Sequence, residues 1–174
     1  MNYSDRFHYG ITVLDDGVTV RKTANVSRDV TYIFIETLIN HFIRNPDPLV
    51  VPVYNFEFIS HKGGMYSYSY DMMRLSMLSI TEKKLIDRIG DLYDSHVAKA
   101  CFLKYEEYPG ADEYPELFRF LTEVTTGGKY WDIHSGNIMM DPDGNYRLID
   151  LEGFLKTPLE LEVNDWISRG NEDD

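Results

Sequence analysis

The feature that most constrains this chain is a polar loop followed at once by a tight hairpin. Asp132, His134 and Asn137 stand within six residues, and Asp150 comes thirteen residues after Asn137. Between them the chain runs Ile138-Met139-Met140, then Asp141-Pro142-Asp143-Gly144-Asn145, then Tyr146 to Ile149. Pro presets φ and Gly accepts a positive φ, so Pro-Asp-Gly between two apolar runs predicts a turn between two short strands. A hairpin there folds the chain back and returns Asp150 to the neighbourhood of Asn137 and Asp132. Three oxygen-bearing side chains then converge. Such a donor set suits a hard cation, and Mg²⁺ takes one or two protein oxygens with water and phosphate completing its shell.

The spacing Asp132-Ile133-His134-Ser135-Gly136-Asn137, with Asp150 after the hairpin, resembles the catalytic loop and metal-binding Asp of the protein-kinase-like superfamily. Asp-x-His-x-Gly-Asn is closest to its aminoglycoside and small-molecule kinases. The resemblance implies catalytic Asp132 assisted by His134, metal ligands Asn137 and Asp150, and ATP with Mg²⁺ as cofactors. It implies a reduced bilobal α+β fold, with a small antiparallel-sheet lobe and a mainly helical lobe. The sheet lobe with its one helix would take residues 1–75, and the helical lobe with the loop and hairpin residues 76–174.

The order of elements fits that expectation. Two strands are expected at Phe7–Leu14 and Val18–Ala24, joined at Asp15-Asp16-Gly17. Alternation sets Val18, Val20 and Lys22 on one strand face. In the kinase pattern Val20 lines the adenine site and Lys22 meets phosphate; an edge-strand Lys reaching solvent is the alternative. A helix follows, capped by Ser27 with Asp29 in its first turn, and Val30, Ile33, Phe34, Leu38, Ile39 and Phe42 recur at helical spacing. Glu36 shares a side with Ile33 and Ile43; the resemblance pairs it with Lys22, whereas a solvated helix charge is the plain reading. Strands at Val50–Ile59 and Met65–Asp71 come next, with Tyr66, Tyr68 and Tyr70 forming a stripe that reads as a packed sheet face. By order alone, the stretch around Asp71 and Met73 would offer backbone groups to adenine.

Ser79 and Glu82 form a capping box for a helix carrying Leu85, Ile86, Ile89, Leu92, Tyr93, Val97 and Ala100. Gly90 inside that helix predicts a bend or a close approach, since Gly there costs about 1 kcal/mol against Ala. Pro115 opens a further helix with Leu117, Phe118, Leu121 and Val124 facing inward, and Gly127-Gly128 ends it. A short acidic segment around Val163 and Trp166 is expected to form one more helix.

Four departures from the kinase pattern stand out. Gly10 is alone where a glycine-rich loop is expected, and two strands precede the first helix instead of three. Tyr130-Trp131 occupies the His-Arg positions before the catalytic Asp, where a tyrosine hydroxyl would have to replace the His hydrogen bonds. Leu151-Glu152 follows Asp150 in place of Phe-Gly. The helices that hold a peptide substrate have no counterpart in the residues after Asp150.

A net charge of −12 disfavours nucleic acid and anionic membranes as partners, and it suits solubility or a basic protein partner. The single cysteine, Cys101, excludes an internal disulfide and fits a reducing cytoplasm, where it reads as a core residue. No stretch reads as a signal peptide or a membrane span. The function expected is phosphoryl transfer from ATP to a hydroxyl of a small molecule or a protein, including the chain itself. The alternative is a catalytically inactive kinase-like binding protein, such as an acidic phage inhibitor of a host protein. Metal-dependent hydrolysis on an unrelated fold is a third reading.

Overall fold

The computed structural model describes residues 9–94, 112–125, 130 and 132–154. Within them the chain forms two compact units, Met1–Arg74 and Leu75–Asp174. The fold is α+β. Cys101, the helical stretch expected beyond Asp94, Gly127-Gly128, Trp131 and the segment around Val163 and Trp166 lie outside the described residues.

The first unit is an antiparallel sheet with one helix. Its strands are β1 (Tyr9–Val13), β2 (Thr19–Val26), β3 (Val53–Lys62) and β4 (Met65–Met73), in the spatial order β1-β2-β4-β3. The β1–β2 turn is closed by Asp16, whose Oδ1 accepts from the backbone N–H of Val18 and Thr19, while Gly17 takes a φ of +72°. Gly63 and Gly64 both take positive φ, so the β3–β4 hairpin turns on those two residues alone and β3 runs on to Lys62. Register shifts after Val53 and after Phe58 bulge the edge strand β3.

Helix α1 (Asp29–Arg44) lies between β2 and β3 in sequence. Residues directly opposite in an antiparallel ladder share a face. Lys22 pairs with Tyr70, Ala24 with Tyr68 and Val26 with Tyr66, so these six share one. Tyr32 of α1 stacks on Tyr66 with centroids 4.7 Å apart and meets Phe58 edge-on, so α1 covers that face. The tyrosine stripe is indeed packed, with Tyr68 and Tyr70 fully buried.

Two expectations for α1 need correction. The buried side is Tyr32, Ile35, Leu38, Ile39 and Phe42, while Val30 and Ile33 are more than half exposed. The periodicity permitted two overlapping stripes, and the aromatic sheet face selects the one that carries Tyr32. Ser27 is not the cap: Arg28 holds the N-cap position with extended backbone and no side-chain cap bond.

The second unit contains α2 (Ile80–Asp94), α3 (Pro115–Thr125) and a hairpin of β5 (Ile138–Met140) and β6 (Tyr146–Leu148). The capping box forms as read: Glu82 Oε1 accepts from Ser79 N and Oγ, and Glu82 N donates to Ser79 Oγ. Leu117, Phe118, Phe120, Leu121 and Val124 of α3 are buried. Among the described residues no helix is long and apolar enough to cross a membrane.

Candidate functional site

The hairpin is built around one buried carboxylate. Asp141 Oδ1 accepts from the N–H groups of Asp143 and Asn145, and Oδ2 accepts from Arg147 Nε at 2.9 Å. Burial pushes the Asp141 pKa up, but the Asn145 N–H and the Arg147 guanidinium outweigh it and leave the carboxyl below its usual value. Gly144 closes the turn at φ +84°. β5 is held from outside the hairpin by Ser76, which exchanges two backbone hydrogen bonds with Met140. Tyr146 anchors β6, its hydroxyl donating to Glu82 Oε2 at 2.5 Å and its ring lying 5.8 Å from that of Phe120.

The register Ile138↔Leu148 sets the next pair outward, and Ile149 N donates to Asn137 O at 3.0 Å. The ladder therefore ends with Asn137 and Asp150 one residue apart across the strands. Tyr130 fixes Asp150 from beneath. Its hydroxyl donates to the Asp150 carbonyl at 2.7 Å, and the same carbonyl accepts from Gly153 N. Tyr130 is fully buried, and its ring meets Phe154 edge-on at 4.8 Å. Burial raises its pKa well above that of a free tyrosine, and Asp150, Asp132 and Glu152 add to the rise, so the hydroxyl stays a neutral donor. A Cβ on Gly153 would lie 2.2 Å from the Tyr130 hydroxyl oxygen, so glycine is required there by space. The tyrosine hydroxyl in this loop thus has a definite task, the one the His-to-Tyr departure left open.

Ahead of the hairpin, Ser135–Asn137 form a single 3-10 turn. Asn137 is buried, and its Nδ2 donates to both Asp132 O and Asp132 Oδ2, at 2.8 and 3.0 Å. That orientation leaves Oδ1 as the Asn137 atom a cation could use. His134 accepts at Nδ1 from Gly136 N at 3.0 Å, which places its ring proton on Nε2, 3.5 Å from Asp132 Oδ2. Asp132 raises the His134 pKa, against burial, which lowers it. A proton on Nδ1 would face the Gly136 N–H, so that hydrogen bond opposes the rise.

Helix α2 touches the loop on both sides of His134. Asp87 accepts from Ser135 N at 2.6 Å and from Ser135 Oγ at 2.9 Å. A Cβ on Gly90 would stand 1.9 Å from the Ile133 carbonyl oxygen. Of the two outcomes the helix-interior glycine suggested, close approach is the one observed.

Asp132, His134, Asn137 and Asp150 are therefore neighbours on one loop and hairpin. Asp132, Asn137 and Asp150 offer hard oxygens, whereas His134 offers ring nitrogens, and Asn137 Oδ1 with the Asp150 carboxylate is a set of the kind Mg²⁺ uses. Among the described residues no group of three or more His, Cys, Asp or Glu is arranged to hold a metal, so a cation here would rest on Asn137 and fewer than three carboxylates. Glu152 is buried in the 3-10 turn Leu151–Phe154.

The sequence-read residues of the first unit fall as follows. Lys22 is buried on the α1-covered face, with Nζ 5.9 Å from the Tyr70 ring centroid. Val20 is half-buried on the same face, opposite Met72. Ile11 and Val13 of β1 pair with Lys22 and Val20 and are about half exposed, an apolar border that the sequence reading did not assign. Glu36 is half-buried on α1 at the border of the core stripe, one turn from Tyr32, whose pKa its charge helps to raise. Asp71 points to the opposite sheet face, where Arg21 Nε and Nη2 and Asn55 Nδ2 bind its carboxylate. The N–H groups of Asp71, Met73 and Arg74 are already bonded, to Asn55 Oδ1, Pro52 O and Val18 O. This stretch consequently offers a base no free N–H at those positions.

Asp87, Gly90 and Tyr130 are the residues whose parts in the site were not assigned from the sequence. Gly90 carried a signal, as a glycine inside a helix. Asp87 carried none, because an exposed helical Asp is ordinary and its partner is 48 residues away.

No family profile and no curated protein matches the chain. Among solved structures it is similar to a MAP kinase from Leishmania major, at 10% identity and a TM-score of 0.42, over 87% of this chain and 44% of that one. It is also similar to WbdD, solved with a kinase inhibitor, at 16% identity and a TM-score of 0.37, over 95% of this chain and 36% of that one. The chain spans less than half the length of either structure.

Proposed function

We propose that the chain is an ATP- and Mg²⁺-dependent phosphotransferase of protein-kinase-like fold, acting on a hydroxyl of a small molecule or a protein. The observation that carries this reading is the hydrogen-bonded set in which Asn137 is tied to Asp132 by side chain and to Ile149 by backbone, one residue from Asp150. Asp132 carries the carboxylate that orients the acceptor hydroxyl and takes up its proton. His134 holds that carboxylate from Nε2. Asn137 Oδ1 and Asp150 would hold Mg²⁺, which when bound offsets the charge of the phosphates. Within the first unit, the resemblance gives Lys22 the part of a cation for phosphate, and Val20, with Ile11 and Val13 beside it, the part of apolar surface for the base. Catalysis is then positioning and electrostatics. The sheet order, with α1 inserted between β2 and β3, supports the same reading.

The test is transfer of the γ-phosphoryl group of ATP, followed as phosphate release and as labelling of the chain itself, in the presence of Mg²⁺. Asp132→Ala is expected to lower turnover by about 100-fold or more, the usual worth of a positioned general base. Equal turnover in the variant would remove Asp132 from the reaction.

A second reading, a binding protein for a basic partner, is favoured by the charge distribution. Met1–Arg74 carries seven Lys and Arg against eight Asp and Glu, whereas Leu75–Asp174 carries ten against twenty-one, for nets of −1 and −11. Salt-sensitive capture of a basic protein by a chain that neither binds nor turns over MgATP would select it.

A further inference from the structure

The six residues from Asp132 to Asn137 are closed at their ends by the Asn137–Asp132 bonds. Their middle is held from a different element. Asp87 takes both donors of Ser135, the residue after His134, and Gly90 receives the carbonyl of Ile133, the residue before it. Asp87 and Gly90 are three apart and so share one helical face, beside the buried Ile86 and Ile89. A carboxylate accepting a backbone N–H at 2.6 Å is a charge-assisted bond, stronger than a neutral one. A glycine inside a helix is unfavourable for the helix itself, and here it admits a carbonyl that any side chain would displace.

We infer that Asp87 and Gly90 are positioning residues. They clamp the loop on both sides of His134 and so fix the direction in which His134 and Asp132 present their side chains. Neither touches the reacting atoms. The effect on turnover rests on the phosphotransferase reading, whereas the clamp itself does not.

The test uses the full chain labelled with ¹⁵N. The Ser135 amide proton is expected far downfield in the parent, because it points at a carboxylate. Asp87→Ala should abolish that shift and move the His134 Nδ1 and Asn137 Nδ2 resonances, and Asp87→Asn should restore part of each. In parallel, Asp87→Ala should lower kcat by about 100-fold at unchanged KM for ATP, the scale of a misplacement of about 1 Å. Gly90→Ala should act in the same direction, and if it fails to fold the two Asp87 variants decide alone. Ser135 and His134 signals that are unmoved in Asp87→Ala would overturn the clamp. Signals that move while kcat is retained would overturn the positioning role of Asp87. A parent without turnover would contradict the phosphotransferase reading, and the resonance shifts would still decide the clamp.

Discussion

The two units of this chain are held together by different means. The sheet unit rests on ladder hydrogen bonds and on a cluster of rings, Tyr32, Phe56, Phe58, Tyr66 and Tyr68, between α1 and the sheet. It is nearly neutral. The described strands of the second unit are three residues long, and its loop and hairpin depend on side chains that bind backbone: Asp141 on its own turn, Tyr130 on Asp150, Asp87 on Ser135. It carries almost all of the net negative charge. Bulk apolar burial tolerates approximate placement, whereas a site built from single hydrogen bonds does not. The loop and hairpin that carry the candidate chemistry are held by single atoms.

That contrast can be broken by changing volume in one unit and single polar atoms in the other. The largest effect is expected from Tyr68→Ala, which empties a fully buried position in contact with the rings of Tyr32, Phe56 and Tyr70. Loss of a large core side chain costs about 3–5 kcal/mol, to be read from urea unfolding. Gly153→Ala comes next, because the new methyl would lie on the Tyr130 hydroxyl. Overpacking there should cost about 1–3 kcal/mol and break the hold on Asp150. Tyr130→Phe should cost only about 1 kcal/mol, since the Asp150 carbonyl keeps its bond from Gly153 N. A Tyr130→Phe loss as large as that of Tyr68→Ala would erase the distinction between the units.

The pH response sharpens the same comparison through one residue of each unit, because Asp71 and His134 shift in opposite directions. The Arg21 guanidinium holds Asp71 below the usual carboxyl value of 3.8. A lowered folded pKa gives stability that is present above 3.8 and is lost as pH falls through the folded value. Asp132 raises His134 above 6.5, so its contribution is full below 6.5 and is lost as pH rises through the folded value. Asp71→Asn should flatten the acid limb of a stability-versus-pH curve and leave the neutral limb alone, and His134→Gln should do the reverse. The His134 change is the smallest expected, because the ring is half exposed and screened.

Much of this was legible in the chain because local rules decided it. Pro142 and Gly144 announce the hairpin, Ser79 and Glu82 announce the start of α2, and Tyr66, Tyr68 and Tyr70 announce a packed face. The return of the chain after the hairpin, which sets Ile149 against Asn137, followed from the turn chemistry and a period of two. What failed was decided by partners distant in sequence. The inward face of α1 depends on Tyr32 finding Tyr66, which no pattern within α1 reveals. The Asp87–Ser135 bond joins an ordinary exposed helix residue to a loop, and only the packing of Gly90 on Ile133 brings them together.

The central claim is that Asn137 and Asp150 hold a cation for a nucleotide, and thermal unfolding with ATP, with and without Mg²⁺, tests it most directly. At about 100 times Kd a ligand adds about 2.7 kcal/mol, or roughly 5–10 °C for a chain of this size. The expected result is a shift of that order that needs Mg²⁺ and disappears in Asp150→Ala. No shift at millimolar MgATP, or an equal shift in Asp150→Ala, would contradict the claim.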